Sequence, residues 1–296
     1  VKLTRDHPLR LEILAAQRNE ITEYHIYSRL ARSMGEESPN GKVLAQIAED
    51  ELAHYHFWRD YTGEDVAPDR WRAWKYYWIA RILGLTFGIK LMERGEGQAH
   101  VTYERIAEEI PEAKRVAEDE DRHEHELLEM LDEERLQYVG SMVLGLNDAL
   151  VELTGALAGL TFALQHTRLV ALAGLITGIA ASLAMASSEY LSTKSDEGEG
   201  EGRSPIKSAL YTGGAYIVTV ALLIAPYLLF ADYFVCLGLT LAMAVLIILV
   251  FNYYIAVARD LDFRRRFVEM ASISMGVAAL SFGIGYLIRA WLGVDI

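Results

Sequence analysis

From residue 10 to about residue 135, apolar positions recur in alternating steps of three and four, and beyond residue 138 they fuse into long runs with few charges. Four stretches carry the first pattern: Leu14, Gln17, Glu20, Tyr24, Tyr27; Leu44, Ile47, Glu51, His54, Trp58; Leu85, Ile89, Met92, Glu96, Ala99, Tyr103; and Ala113, Val116, Glu120, His123, Leu127. Such spacing puts each set on one face of a helix, and four amphipathic helices predict a bundle. The second pattern predicts five spans near the roughly 20 residues that a bilayer requires: 140–164, 169–193, 207–231, 233–257 and 270–293. A short turn at 165–168, the acidic run EGEGEGRSP at 197–205 and the basic connector ARDLDFRRR at 258–266 punctuate them. The expected fold class is all-α, a four-helix bundle over 1–138 followed by a helical membrane domain over 139–296.

Charge sharpens this division. Of the net charge of −13, residues 1–138 carry −10, with 29 acids against 19 bases and seven of the eight histidines. No basic stripe suited to phosphate is present, so nucleic acid is excluded as a partner and cations are favoured. The single cysteine, Cys236, excludes an internal disulfide and a CxxC redox pair. The charged opening VKLTRDHPLR is unlike a signal peptide. Bases cluster on the amino-terminal side of the spans (Arg135, Lys194, Arg203, Lys207, Arg259, Arg264, Arg265, Arg266), against Arg168 and Arg289 on the other. The positive-inside rule then places the first domain in the cytoplasm and the carboxyl terminus outside.

A glutamate interrupts each apolar stripe of the bundle, and in two helices a histidine follows three residues later. Buried carboxylates facing one another repel, unless a cation lies between them. Glu51-Leu-Ala-His54 and Glu120-Asp-Arg-His123 each aim two ligand-type side chains at one point, with Glu20 and Glu96 on the remaining core faces. Carboxylates with imidazoles suit iron, manganese or zinc. Glu23, Glu49, Asp50, Asp119, Asp121 and Glu124 read as a solvated charged face, and His25, His56, His100 and His125 as surface histidines. The aromatic run RWRAWKYYWIARIL at 70–83 fits contact with the bilayer interface or a partner subunit, and equally a core role.

Over roughly residues 10–135 these motifs resemble the rubrerythrin branch of the ferritin-like superfamily, on Glu20 with Tyr27, both E-x-x-H motifs, and Glu93 in Glu93-Arg-Gly-Glu96. The resemblance implies a di-iron site bridged by Glu51 and Glu120, with Glu20, Glu93, Glu96, His54 and His123 as terminal ligands. No rubredoxin-type module accompanies it, which departs from the peroxidases of that branch.

In the membrane half, Asp148 and Glu152 stand one turn apart in the run GLNDALVELTGALAGLTFAL (145–164), and Met185 and Glu189 are likewise i, i+4 in SLAMASSEYLS (182–192). Acids at membrane depth mark ion or proton paths, or form a polar pair bonded for structural reasons. Gly155 with Gly159, and Gly174 with Gly178, allow close helix packing or dimerisation. The two stretches resemble the first and second spans of the vacuolar iron transporter family. That resemblance implies a homodimer exchanging Fe2+ for protons along a path contacted by Asp148 and Met185, with Glu152 and Glu189 as further members. The cytoplasmic helical insertion of the plant type is replaced here by KSDEGEGEGRSP (194–205).

The combined expectation is an Fe2+ exporter of the prokaryotic inner membrane, with Mn2+ as an alternative ion and possible ferroxidase activity in the bundle. A membrane-anchored di-iron oxidase or peroxidase and a membrane-tethered iron store are the competing readings.

Overall fold

The computed structural model describes residues 3–4, 6–35, 37–129, 138–196, 203–259 and 261–292, with the side chains of 93, 95–104, 124, 128–129, 196 and 292 outside the description. The chain divides into two units, Val1–Glu133 and Glu134–Ile296. Among the described residues every regular element is a helix.

The first unit holds α1 (Arg10–Met34), α2 (Pro39–Thr62), α3 (Arg70–Leu83), α4 (Leu85–Glu109) and α5 (Ala113–Glu129). Local chemistry sets their limits. Ser38 caps α2 by accepting from the Gly41 N–H at 3.0 Å, with Pro39 in its first turn. Asp69 caps α3 by accepting from the Arg72 N–H at 2.9 Å. At Gly84 φ is +107°, a conformation open to glycine, and it parts α3 from α4. The aromatic run is therefore a helix of its own, additional to the four expected stripes.

Contacts run from α1 to α2, from α2 to α5, from α5 to α4 and from α4 back to α1, closing a ring of four helices, while α3 packs on α1 and α4. Two apolar clusters fill the ring at different levels. One contains Ile26, Leu30, Leu44, Ile47, Met92 and Leu127, and the other Ile13, Ala16, Trp58, Ile106, Ala113 and Val116. Glu20, Glu51, His54, Glu120 and His123 fall between these levels on α1, α2 and α5. The fold thus sandwiches one polar layer between two apolar ones.

The second unit contains five helices long and apolar enough to cross a membrane: α6 (Val139–Leu164), α7 (Thr167–Asp196), α8 (Pro205–Leu229), α9 (Tyr233–Ala258) and α10 (Phe263–Leu292). Helix α6 touches the other four. Its glycines permit this closeness: a Cβ on Gly145 would collide with the Thr212 backbone of α8, and one on Gly155 would lie 2.9 Å from Val277 of α10. Gly174 and Gly178 face Leu157, Ile224 and Val220 in the same way, so both glycine pairs serve packing inside the unit. Three interior hydroxyls find partners, as a span without water favours: Thr161 with Tyr227 at 2.6 Å, Thr240 with the Leu223 carbonyl at 2.9 Å, Ser274 with the Leu150 carbonyl at 2.8 Å. One boundary differs from the sequence expectation. Asp262 accepts from the Arg265 N–H at 2.9 Å and starts α10 at Phe263, so Arg264, Arg265 and Arg266 form its first turn instead of a loop.

Candidate metal centre

The polar layer of the first unit gathers Glu20 from α1, Glu51 and His54 from α2, and Glu120 and His123 from α5. One ligand atom from each of Glu20, Glu51, His54 and Glu120 lies within 4.8 Å of all the others, so this group can hold a metal ion. His54 Nδ1 is 3.5 Å from Glu120 Oε1, 3.7 Å from Glu51 Oε2 and 3.8 Å from Glu20 Oε2, and His123 Nδ1 is 3.2 Å from Glu51 Oε1. Glu20 and Glu51 are each 1% exposed and His123 2%, which removes water as a partner. Even so, Glu51 Oε2, His54 Nδ1, Glu120 Oε1 and His123 Nδ1 make no hydrogen bond of acceptable geometry. Four buried polar atoms converging without hydrogen bonds fit a cation placed among them. Glu93 and Glu96 fall on α4 between Met92 of one apolar level and Ile106 of the other. Their side chains lie outside the described residues.

Electrostatics describes the same site without metal. Burial and the neighbouring carboxylates of Glu51 and Glu120 push Glu20 well above the ordinary carboxylate range. Burial works against charge on Glu51 too, yet the adjoining imidazoles of His123 and His54 carry it down to about 2. For His54, burial opposes protonation, but Glu120 and Glu51 outweigh it and raise the imidazole to about 11; His123 is raised by Glu51 in the same manner. Protons on the histidines thus occupy the role of the positive charge that the carboxylates demand.

The outer nitrogens of the two histidines cross between helices. His54 Nε2 meets Asp119 Oδ2 of α5 at 3.3 Å, and His123 Nε2 meets Asp50 Oδ2 of α2 at 3.1 Å. Arg122 donates to both aspartates, at 2.5 Å to Asp119 and 3.0 Å to Asp50. A carboxylate on Nε2 orients the ring and leaves Nδ1 to the interior. Asp50 and Asp119 are therefore part of the centre and not the solvated face that the sequence reading assigned them. Glu23 is also buried, at 6% exposure. Trp58 donates its indole N–H to Glu20 Oε1 at 3.0 Å, a contact that helical spacing on separate helices could not reveal. His56 and His125 are exposed and His25 partly so, while His100 lies outside the described residues.

The second unit presents its acids differently. Asp148 and Glu152 interact with each other one turn apart on α6. Glu152 is exposed on that central helix and accepts from the Tyr216 hydroxyl of α8 at 3.1 Å. Glu189 of α7 accepts from Ser141 at 2.5 Å, and Met185 packs against the apolar core. Among the described residues no hydrogen bond or ion pair joins Met185 or Glu189 to Asp148 or Glu152. Residues 139–199 match the model of the VIT family. The match covers α6 and α7, and with them Asp148, Glu152, Met185 and Glu189. None of the curated proteins matches the chain. A VIT-type segment within five membrane-capable helices marks a multi-pass membrane protein and points to transport of metal ions such as iron or manganese.

Proposed function

We propose that the protein exports Fe2+ from the cytoplasm across a prokaryotic inner membrane, in exchange for protons and as a homodimer, with Mn2+ as a second ion. The VIT-type unit carries the ion, contacted by Asp148 and Met185 and assisted by Glu152 and Glu189. The first unit, a ferritin-like bundle of rubrerythrin type over 1–138, captures the ion on the cytoplasmic side. There Glu20, Glu51, His54, Glu120 and His123 would hold a di-iron centre, with Glu93 and Glu96 completing it. Bound iron would supply redox chemistry. The chain's own contribution is to bind, to exclude water and to hold protons on His54 and Glu20 when metal is away.

The observation that carries this reading is an exposed carboxylate, Glu152, on the helix at the centre of a membrane unit and inside the VIT match. An acid at mid-bilayer costs roughly 2.5–3.5 kcal/mol on insertion scales, so a passing ion or proton that neutralises it has a physical basis. Purified protein in liposomes with a pH-sensitive dye inside tests it. Entry of Fe2+ or Mn2+ should coincide with a rise in luminal pH. Absence of flux for both ions, together with oxygen or peroxide consumption, would instead establish an anchored di-iron oxidase or peroxidase. The closed centre, with Trp58 bonded to Glu20, is the feature that favours that second reading.

A further inference from the structure

Helix α3 is packed on one side only. Ala73, Tyr76 and Ala80 are buried, whereas Trp71, Trp74 and Trp78 are 69%, 48% and 44% exposed. Positions 71, 74 and 78 follow helical spacing, so the three indoles form one outward stripe, and Trp71 stacks on Trp74 with centroids 5.0 Å apart. Arg70, Lys75 and Arg81 are exposed along the same side. The helix has four bases and no acid, in a region of net charge −10. The basic patch extends to α1: burial first, then Arg32, Arg70 and Arg29, hold His25 below the ordinary histidine range.

We propose that the outer face of α3 docks on the surface of an anionic bilayer, indoles at the headgroup level and bases against lipid phosphates. An interfacial helix combines a large apolar side chain on one face with Lys or Arg beside it, and Trp concentrates at that depth because its ring is apolar and its N–H polar. The bilayer is always within reach, since the first membrane-capable helix begins at Val139 of the same chain. A second copy is the competing occupant. Two-fold pairing through this face would set Arg70, Lys75 and Arg81 against the same bases, a repulsion that anionic lipid does not share.

The test uses the full chain with Cys236→Ala and Trp74→Cys, the new thiol carrying a nitroxide, reconstituted in phosphatidylcholine vesicles with or without phosphatidylglycerol. With phosphatidylglycerol the label should become accessible to oxygen and protected from a water-borne relaxing agent, while a label at Asp60→Cys stays wet. Neutralising Arg70, Lys75 and Arg81 to Gln should weaken docking on the order of fivefold per base. A Trp74→Cys label as wet as the control in both lipids overturns the proposal. So does protection that is independent of lipid charge and accompanied by spin–spin broadening, which would make the face an interface between copies. Neither reading of the label depends on whether the protein transports metal.

Discussion

His54 of α2 is held from outside the polar layer by Asp119 of α5, Nε2 to Oδ2 at 3.3 Å, while its Nδ1 faces three carboxylates. Orientation of a ligating imidazole by an outer carboxylate is worth about 10- to 100-fold in metal affinity. Asp119→Asn, which keeps the shape and removes the charge, should weaken Fe2+ or Mn2+ binding to the full chain by about that factor in calorimetric titration. Asp60→Asn, exposed on α2, should leave affinity unchanged. Equal affinities in the two variants would show that Asp119 has no orienting role.

Glu20 and Glu51 are equally buried and carry opposite expectations. Burial and the other carboxylates favour the uncharged form of Glu20, so Glu20→Gln copies that form and can still accept from Trp58. Its metal-free melting temperature should stay close to that of the parent while metal binding is lost. Glu51 is the anion that compensates His54 and His123, and removing one partner of a buried pair costs about 3–5 kcal/mol. Glu51→Gln should therefore lose metal and also melt at a distinctly lower temperature. If both variants melted alike, the division of charge would be wrong.

Stability without metal should peak on the mildly acidic side. His54 is raised to about 11 and Glu20 is raised as well, so their contributions are complete below their unfolded pKa values and fade as pH rises through the folded ones. Glu51 lies at about 2, so its contribution is present above the ordinary glutamate pKa and fades as pH falls toward 2. Glu51 and His54 are both complete between the ordinary carboxylate and histidine values, roughly pH 4.3 to 6.5, and Glu20, complete only below the lower of them, tilts the maximum toward the acidic end of that window. Melts in chelator should show highest stability there and decline toward alkaline pH. Metal binding, which displaces protons from His54, His123 and Glu20, should release protons, seen as a dependence of binding heat on buffer ionisation enthalpy. Proton-neutral binding at pH 7 would overturn this.

The E-x-x-H motifs and Glu20 were legible in the sequence because a ligand on a core stripe obeys the helix period, and the five spans because their length and apolarity leave no other reading. Asp50 and Asp119 were not. Each sits one residue, or about 100°, off its stripe, where a solvated acid is the ordinary reading, and only the packing of α2 against α5 brings each to the histidine of the other helix. Gly84 hid for a related reason: an isolated glycine in a helical pattern is tolerated, and its positive φ is visible only in the backbone. Tyr216 lay on a helix with no acid of its own, so nothing in α8 pointed to Glu152.

Within the membrane unit, transport should depend on charge at Asp148 more than on the hydrogen bond to Glu152. Asp148→Asn preserves size and polarity and removes the carboxylate, so Fe2+ flux in liposomes should fall to the level of empty vesicles. Tyr216→Phe removes one hydroxyl donor to Glu152 and leaves both carboxylates, so flux should persist. Metal content of the first unit should be unaltered in both variants, since all its candidate ligands precede residue 134. Undiminished flux in Asp148→Asn would remove this carboxylate from the path and return the Asp148–Glu152 pair to a structural role.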